Sequence, residues 1–149
     1  MARSFKIYTC GNGVDFYDDM DWRKKFEAML RQASEYDLSF AHPPLFYSAY
    51  WDSENDSDVS QEGYAWELSN LSDSDVVVIC TDAIEDSAPC LMELAFNFGF
   101  INALNRNGKN IKVISFGESK IDFPWFNMIA HKESSMEDAV DYIANLILI

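Results

Sequence analysis

The run Val76-Val-Val-Ile-Cys80 is apolar at every position. A strand with one wet face would alternate, so this run is expected at the centre of a parallel sheet covered on both faces. Such a strand needs helices on either side of it, joined to neighbouring strands by crossovers. The flanking sequence supplies them. Asp58-Val-Ser-Gln61 fits a capping box for a helix to about Leu71, with Tyr64, Leu68 and Leu71 on its inner face. After a loop from Thr81 to Ser87, a helix is expected from Ala88 or Pro89 to Asn105, since proline is tolerated in a first turn.

The same alternation extends to both ends. Phe5 to Cys10 reads as a strand closed by the turn Gly11-Asn12-Gly13. Trp22, Phe26, Met29, Leu30 and Ala33 then recur at helical spacing, between the acidic start Asp18-Asp19 and Arg31. Leu38 to Ala41 is a short strand stopped by Pro43-Pro44, and Leu45 to Val59, which shows no period, reads as a long loop. Ile111 to Phe116 is the next strand. An extended piece near Met128 to His131 precedes a last helix striped by Met136, Ala139, Val140, Ile143, Leu146 and Ile147. The expected fold is a three-layer α/β sandwich around a parallel sheet of about five strands. Ligands in such sheets bind beyond the C-terminal strand ends, so the turn after Tyr8 and the loop from Thr81 to Glu93 should share one crevice.

With 149 residues, 48% of them apolar in type, the chain suits one domain over residues 1–149 with a core that needs no disulfide or metal staple. Its 25 carboxylates against 11 Lys and Arg give a net charge of −14, which lacks the electrostatic footprint for a nucleic acid polymer or an anionic membrane. The deficit is regional, because fourteen Asp and Glu but no Lys or Arg lie between Arg31 and Arg106. The charges from Asp52 to Asp58 read as a solvated loop. Cys10, Cys80 and Cys90 are odd in number and without metal-ligand spacing, and the first residues run straight into a strand pattern, so a reduced cytoplasmic protein without a leader is expected. No apolar run approaches the ~20 residues of a membrane span. Neither GxGxxG nor GxxxxGK[ST] occurs, and no metal or cofactor is called for.

Glu93 is the sharpest candidate for chemistry. It falls in the first turns of the helix after the central strand, among Leu91, Met92, Leu94 and Ala95. A poorly solvated carboxylate held ionised by the helix dipole is a plausible nucleophile, while a purely stabilising acid at a helix N-terminus is the plainer alternative. Tyr8 is either a half-buried core residue or a phenol that reaches across the crevice. Glu67 is either a solvated helix acid or a carboxylate aimed at the same strand edge. Asp73 and Asp75 belong to turns at the wrong edge of the sheet. Of Asp86 and Ser87, one is expected to cap the helix and the other to be free for a ligand hydroxyl. His42 and His131 have no Ser or Cys partner in a recognisable frame, which disfavours a His-based triad.

Taken in order, Lys6-Ile-Tyr8 with Gly11, Trp22-Arg23, Pro43-Pro44, the stretch Trp66 to Ile79, Asp86-Ser-Ala-Pro-Cys-Leu-Met-Glu93-Leu-Ala, and Pro124-Trp125 resemble the nucleoside 2-deoxyribosyltransferase family, especially its small bacterial and phage-type members. The similarity spans nearly the whole chain. It implies a flavodoxin-like domain that cleaves the N-glycosidic bond of a 2′-deoxynucleoside and passes the sugar to another nucleobase. By this resemblance Glu93 matches the nucleophile, Tyr8 the tyrosine that orients it, and Glu67 stands where the family usually has an aspartate working at the nucleobase. Asp86 and Ser87 match the stretch that contacts the sugar's hydroxyl end, and Asn127-Met128 the segment that completes a neighbouring subunit's site. Gly11 belongs to the substrate-binding turn, and Phe16, Phe46 and Tyr47 are candidates for stacking on the base, with core packing as the alternative for Phe16. Pro89-Cys90 replaces a Gly-rich turn before the glutamate.

Three other readings compete. Ser87 stands six residues before Glu93, where some members of the resembled group place a phosphate-contacting serine, which keeps a nucleoside or nucleoside 5′-monophosphate hydrolase open. Ser87-Ala-Pro-Cys90-Leu-Met-Glu93 also looks like the helix start of TIR domains whose enzymatic members cleave NAD. A binding module that has kept the fold and lost turnover is the third. Leu91, Leu94, Phe96, Phe98, Phe100 and Ile101 put more apolar surface on one helix than a sheet requires, so a homo-oligomer is expected.

Overall fold

A computed structural model of the chain describes residues 3–11, 20–50, 56–84, 87–119 and 124–148. Strands β1 (Ser4–Cys10), β2 (Asp37–Ala41), β3 (Val76–Cys80), β4 (Lys112–Phe116) and β5 (Ala130–Glu133) form one sheet in the order β2-β1-β3-β4-β5. Every neighbouring pair is parallel. This is the flavodoxin-like order, and the chain changes direction across the sheet between β1 and β3. All five residues of β3 are buried, as an unbroken apolar run requires.

Two cores fill the two faces. On one, Phe26 and Leu30 of α1 (Met20–Ala33) and Ala139 and Val140 of α6 (Met136–Tyr142) pack on Ile7, Val76 and Val78. On the other, Leu71 of α3 (Asp56–Asp73), Leu94, Phe98 and Ile101 of α4 (Ala88–Arg106), and Phe126 of α5 (Pro124–Ile129) pack on Tyr8, Val77 and Ile79. Successive side chains of a strand point to opposite faces, so Tyr8 and Cys10 face α3 and α4 while Thr9 between them faces α1.

Several boundaries differ from the sequence reading. Pro43-Pro44 follow β2 as expected, but they open a helix, α2 (Pro43–Tyr50), inside the stretch read as a loop. Proline's fixed φ suits a first turn, where its missing N–H has no intrahelical acceptor in any case. Helix α3 begins at Asp56, and Tyr64 is 59% exposed instead of lying on its inner face. Its ring meets Phe96 of α4 at 6.3 Å, so Tyr64 belongs to the outer seam between the two helices. The extended piece near Met128 comes two residues later, as β5, because α5 occupies residues up to Ile129.

The C-terminal stripe is also reset. After Tyr142 the chain widens into a π-helical turn, Ile143–Ile147, closed by the Leu148 N–H donating to the Ile143 carbonyl at 2.9 Å. The extra residue per turn rotates Leu146 outward, to 63% exposure, and brings Leu148 into the core instead. Among the described residues, no helix is long and apolar enough to cross a membrane.

Candidate active site

Towards the C-terminal ends of β1 and β3, side chains of α3 and α4 pack over the sheet. Tyr8 is fully buried, and its hydroxyl donates to Glu67 Oε1 at 3.3 Å. Trp66, beside Glu67, tilts its ring over Tyr8 with centroids 6.0 Å apart. Phe46 of α2 in turn stacks on Trp66 at 5.0 Å and 21°. An aromatic tier therefore runs from α2 across α3 to the end of β1, with a carboxylate at its foot.

Cys10 closes the floor. Burial pushes its thiol up to about 12, and the negative charge of Glu67 adds to that, against the opposing pull of Arg23 and a hydrogen bond with Asn97. Cys10 therefore stays a neutral thiol across the physiological range. Asn97 was not anticipated. It is a buried amide on α4, and its signal in the sequence is a polar residue on the phase set by Leu94, Phe98 and Ile101.

Glu93 stands one helical turn before Asn97, towards the N-terminus of α4 and on the flank that adjoins α3. It is exposed, which corrects the expectation of a poorly solvated carboxylate. Leu94, not Glu93, takes the inward position at this level of the helix. Ser87 is the N-cap of α4 but makes no side-chain capping bond; its carbonyl accepts from the Leu91 N–H. Phe16, Asp86 and the Tyr47 side chain lie outside the described residues.

Gly11 ends β1 at φ 134°, a conformation that favours glycine, and no side chain crowds it there. Its carbonyl accepts from Arg23 Nη2 at 2.9 Å. Arg23 is itself fully buried, and its Nε donates to Thr9 Oγ1 at 2.9 Å. Thr9 Oγ1 lies 2.7 Å from His42 Nδ1, and His42 Nε2 lies 2.7 Å from Glu27 Oε1. Arg23 fills an acceptor site on the hydroxyl, and the Thr9 O–H lies nearer His42 Nδ1 than the Ala41 carbonyl at 3.4 Å; donated to Nδ1, it leaves Nε2–H to donate to Glu27. Burial lowers the His42 pKa while Glu27 works to raise it. The Glu27 carboxyl is also held down, since hydrogen bonds from His42 and Arg31 outweigh burial. An ion pair would raise the histidine, so the pair is best described as neutral His42 donating to ionised Glu27. This relay was not legible from sequence. It pins the residue between Tyr8 and Cys10 from the opposite face of the sheet.

At the same edge, Asp82 follows β3 and accepts from the backbone N–H groups of Ser119 at 2.8 Å and Glu118 at 3.2 Å. Hydrogen bonding by Ser119 is the main reason that its carboxyl lies below the usual range. A cavity of about 210 Å3 opens there over β4 and β5, away from Glu93, between Ser115, Phe126 and Lys132. Asn127 and Met128 sit on α5 with Met128 81% exposed, and neither is among the side chains gathered around Tyr8.

Comparison of the chain with protein-family models and with curated proteins gives no match. The class defined by the structure is that of an all-parallel, flavodoxin-like α/β domain.

Proposed function

We propose that the protein cleaves the N-glycosidic bond of a 2′-deoxynucleoside and transfers the deoxyribosyl group to another nucleobase, as a member of the nucleoside 2-deoxyribosyltransferase family. The observation that carries the reading is the Tyr8–Glu67 hydrogen bond at the point where the sheet order reverses. Glu93 is exposed on the adjoining helix. In this reading the Glu93 carboxylate attacks the anomeric carbon, and the bond to the base breaks with its electron pair leaving on the base nitrogen. The departing base takes its proton from solvent by way of the Glu67 carboxyl, with Tyr8 fixing the carboxyl's direction. The resulting glutamyl-sugar ester is discharged by an incoming base, whose proton returns to solvent by way of Glu67. Carboxylates around the crevice favour the oxocarbenium character of both transition states.

The exposure of Glu93 favours a second reading, in which water replaces the acceptor and the protein is a nucleoside hydrolase. Chromatography of a 2′-deoxynucleoside with and without a second free base, beside Glu93→Ala, separates the two. A new deoxynucleoside that requires the added base supports transfer, and free base without exchange supports hydrolysis. Nicotinamide release from NAD alone would support a TIR-like activity. Stabilisation by nucleosides without turnover would support a binding module.

A homo-oligomer fits the same reading. Met92 and Phe96 of α4 are 71% and 53% exposed beside exposed Tyr64, more outward apolar surface than one helix face needs in isolation. A second copy seated there would bury it, and exposed Asn127 and Met128 would be available to a neighbour's crevice. Light scattering at working concentration should give a mass above that of one chain, and a monomer would exclude it. Three free cysteines, two of them buried, suit a reducing cytoplasm.

A further inference from the structure

The opposite, N-terminal edge of the sheet holds a feature that the proposed reaction does not use. Strand β5 begins its pairing at Val113↔Ala130, so Lys112 at the start of β4, with Ile111 before it, extends past it. A cavity of about 380 Å3 lies there. It is lined by Ile111, Ile114, Ile129 and Ile147 together with Lys109, Lys112, His131 and Tyr142, and the surface it presents is mainly polar. That size and those convergent polar groups suit a small-molecule site.

Three further features narrow the ligand. In a chain of net charge −14, the segment from Leu94 to Gly117 contains no Asp or Glu and carries Arg106, Lys109 and Lys112, so the side of the rim built by that segment is cationic. The loop bearing the lysines is anchored: Asn105 Oδ1 accepts from the Ile111 N–H at 2.8 Å, Asn105 Nδ2 donates to the Ile111 carbonyl at 3.0 Å, and the Lys109 N–H donates to the Leu104 carbonyl. The wall is a flat pair, with the His131 and Tyr142 rings stacked at 3.7 Å and 7°. Glu133 Oε1 engages His131 Nε2 at 2.8 Å, so anion attraction falls to the two lysines and the ring pair supplies the surface.

We propose that this cavity binds a small organic anion with a planar apolar body, its carboxylate or phosphate between Lys109 and Lys112 and its ring against the His131–Tyr142 wall. The test is titration of the 15N-labelled protein with benzoate, phenyl phosphate and the neutral isostere benzamide in the millimolar range, followed by amide shifts. Benzoate or phenyl phosphate should move the amides of residues 109–113 and 130–131 saturably and leave Tyr8 and Glu67 in place. Whichever of the two binds more tightly identifies the preferred headgroup. The double substitution Lys109→Ala/Lys112→Ala, at two exposed positions, should weaken the anions roughly tenfold, and raised salt should weaken them too. Equal affinity for benzamide, shifts centred on Tyr8 to Gly11, or no saturable shift with either anion would overturn the proposal. None of these readouts depends on transferase activity.

Discussion

Thr9 Oγ1 and His42 Nδ1 lie 2.7 Å apart behind the candidate site, joining the end of β1 to the end of β2 in a buried contact. The hydroxyl also accepts from Arg23, so a single side chain satisfies both a buried guanidinium and a buried imidazole. Thr9→Val keeps the shape and leaves both partners short of a bond, which should cost about 1–3 kcal/mol. Thr9→Ser should stay close to wild type. Urea unfolding of the three proteins checks this, and a Thr9→Val protein as stable as wild type would show that the hydroxyl is dispensable.

The same relay should make stability depend on pH. The His42 pKa is lowered in the fold, so its stabilisation is complete above the ordinary histidine value of 6.5 and is lost as pH falls below it towards the folded value. Glu27 is lowered as well, and its contribution is lost at more acid pH, below its ordinary value of 4.5. Wild type should therefore lose stability as pH falls below about 6.5. His42→Gln should flatten that dependence. Thermal melts across the range decide it; identical slopes would remove His42 from the account of acid sensitivity.

Gly117 has φ 129°, and a Cβ there would collide with Thr81 Oγ1. The Thr81 hydroxyl donates to the Phe116 carbonyl at 3.1 Å, so it is not free to swing away without losing a buried bond. Gly117→Ala should cost about 1–3 kcal/mol. Gly108→Ala, with a positive φ but open space, should cost less. Calorimetry of both variants tests the ranking.

Tyr8→Phe removes the hydroxyl from Glu67 and leaves the ring in the core. In the proposed reaction turnover should fall by roughly 10- to 100-fold with a small change in KM. The melting point should shift little, since a typical hydrogen bond contributes a net of about 1 kcal/mol. Steady-state kinetics beside a thermal melt separates this from simple unfolding.

The fold was largely legible because its signals are local. Val76 to Cys80 has no polar position, and α4 falls within one residue of its expected ends. What escaped depends on distant partners or on subtle backbone changes. Helix α2 begins with the two prolines that stop the preceding strand. The π turn moves Leu146 out and Leu148 in through one widened hydrogen bond that no periodicity announces. In the candidate site, Tyr8 and Glu67 are 59 residues apart and were both singled out, but their direct bond is a property of the packed sheet and helix. The Thr9–His42 contact spans 33 residues, and Asn97 reaches Cys10 only once α4 lies across β1.

Mass-spectrometric peptide mapping of the protein quenched with a 2′-deoxynucleoside, in the absence of any acceptor base, tests the role of Glu93 most directly. A deoxyribosyl adduct on the peptide containing Glu93 is predicted, missing in Glu93→Ala and discharged when a second base is added. Base release without an adduct at Glu93, and undiminished in Glu93→Ala, would contradict it.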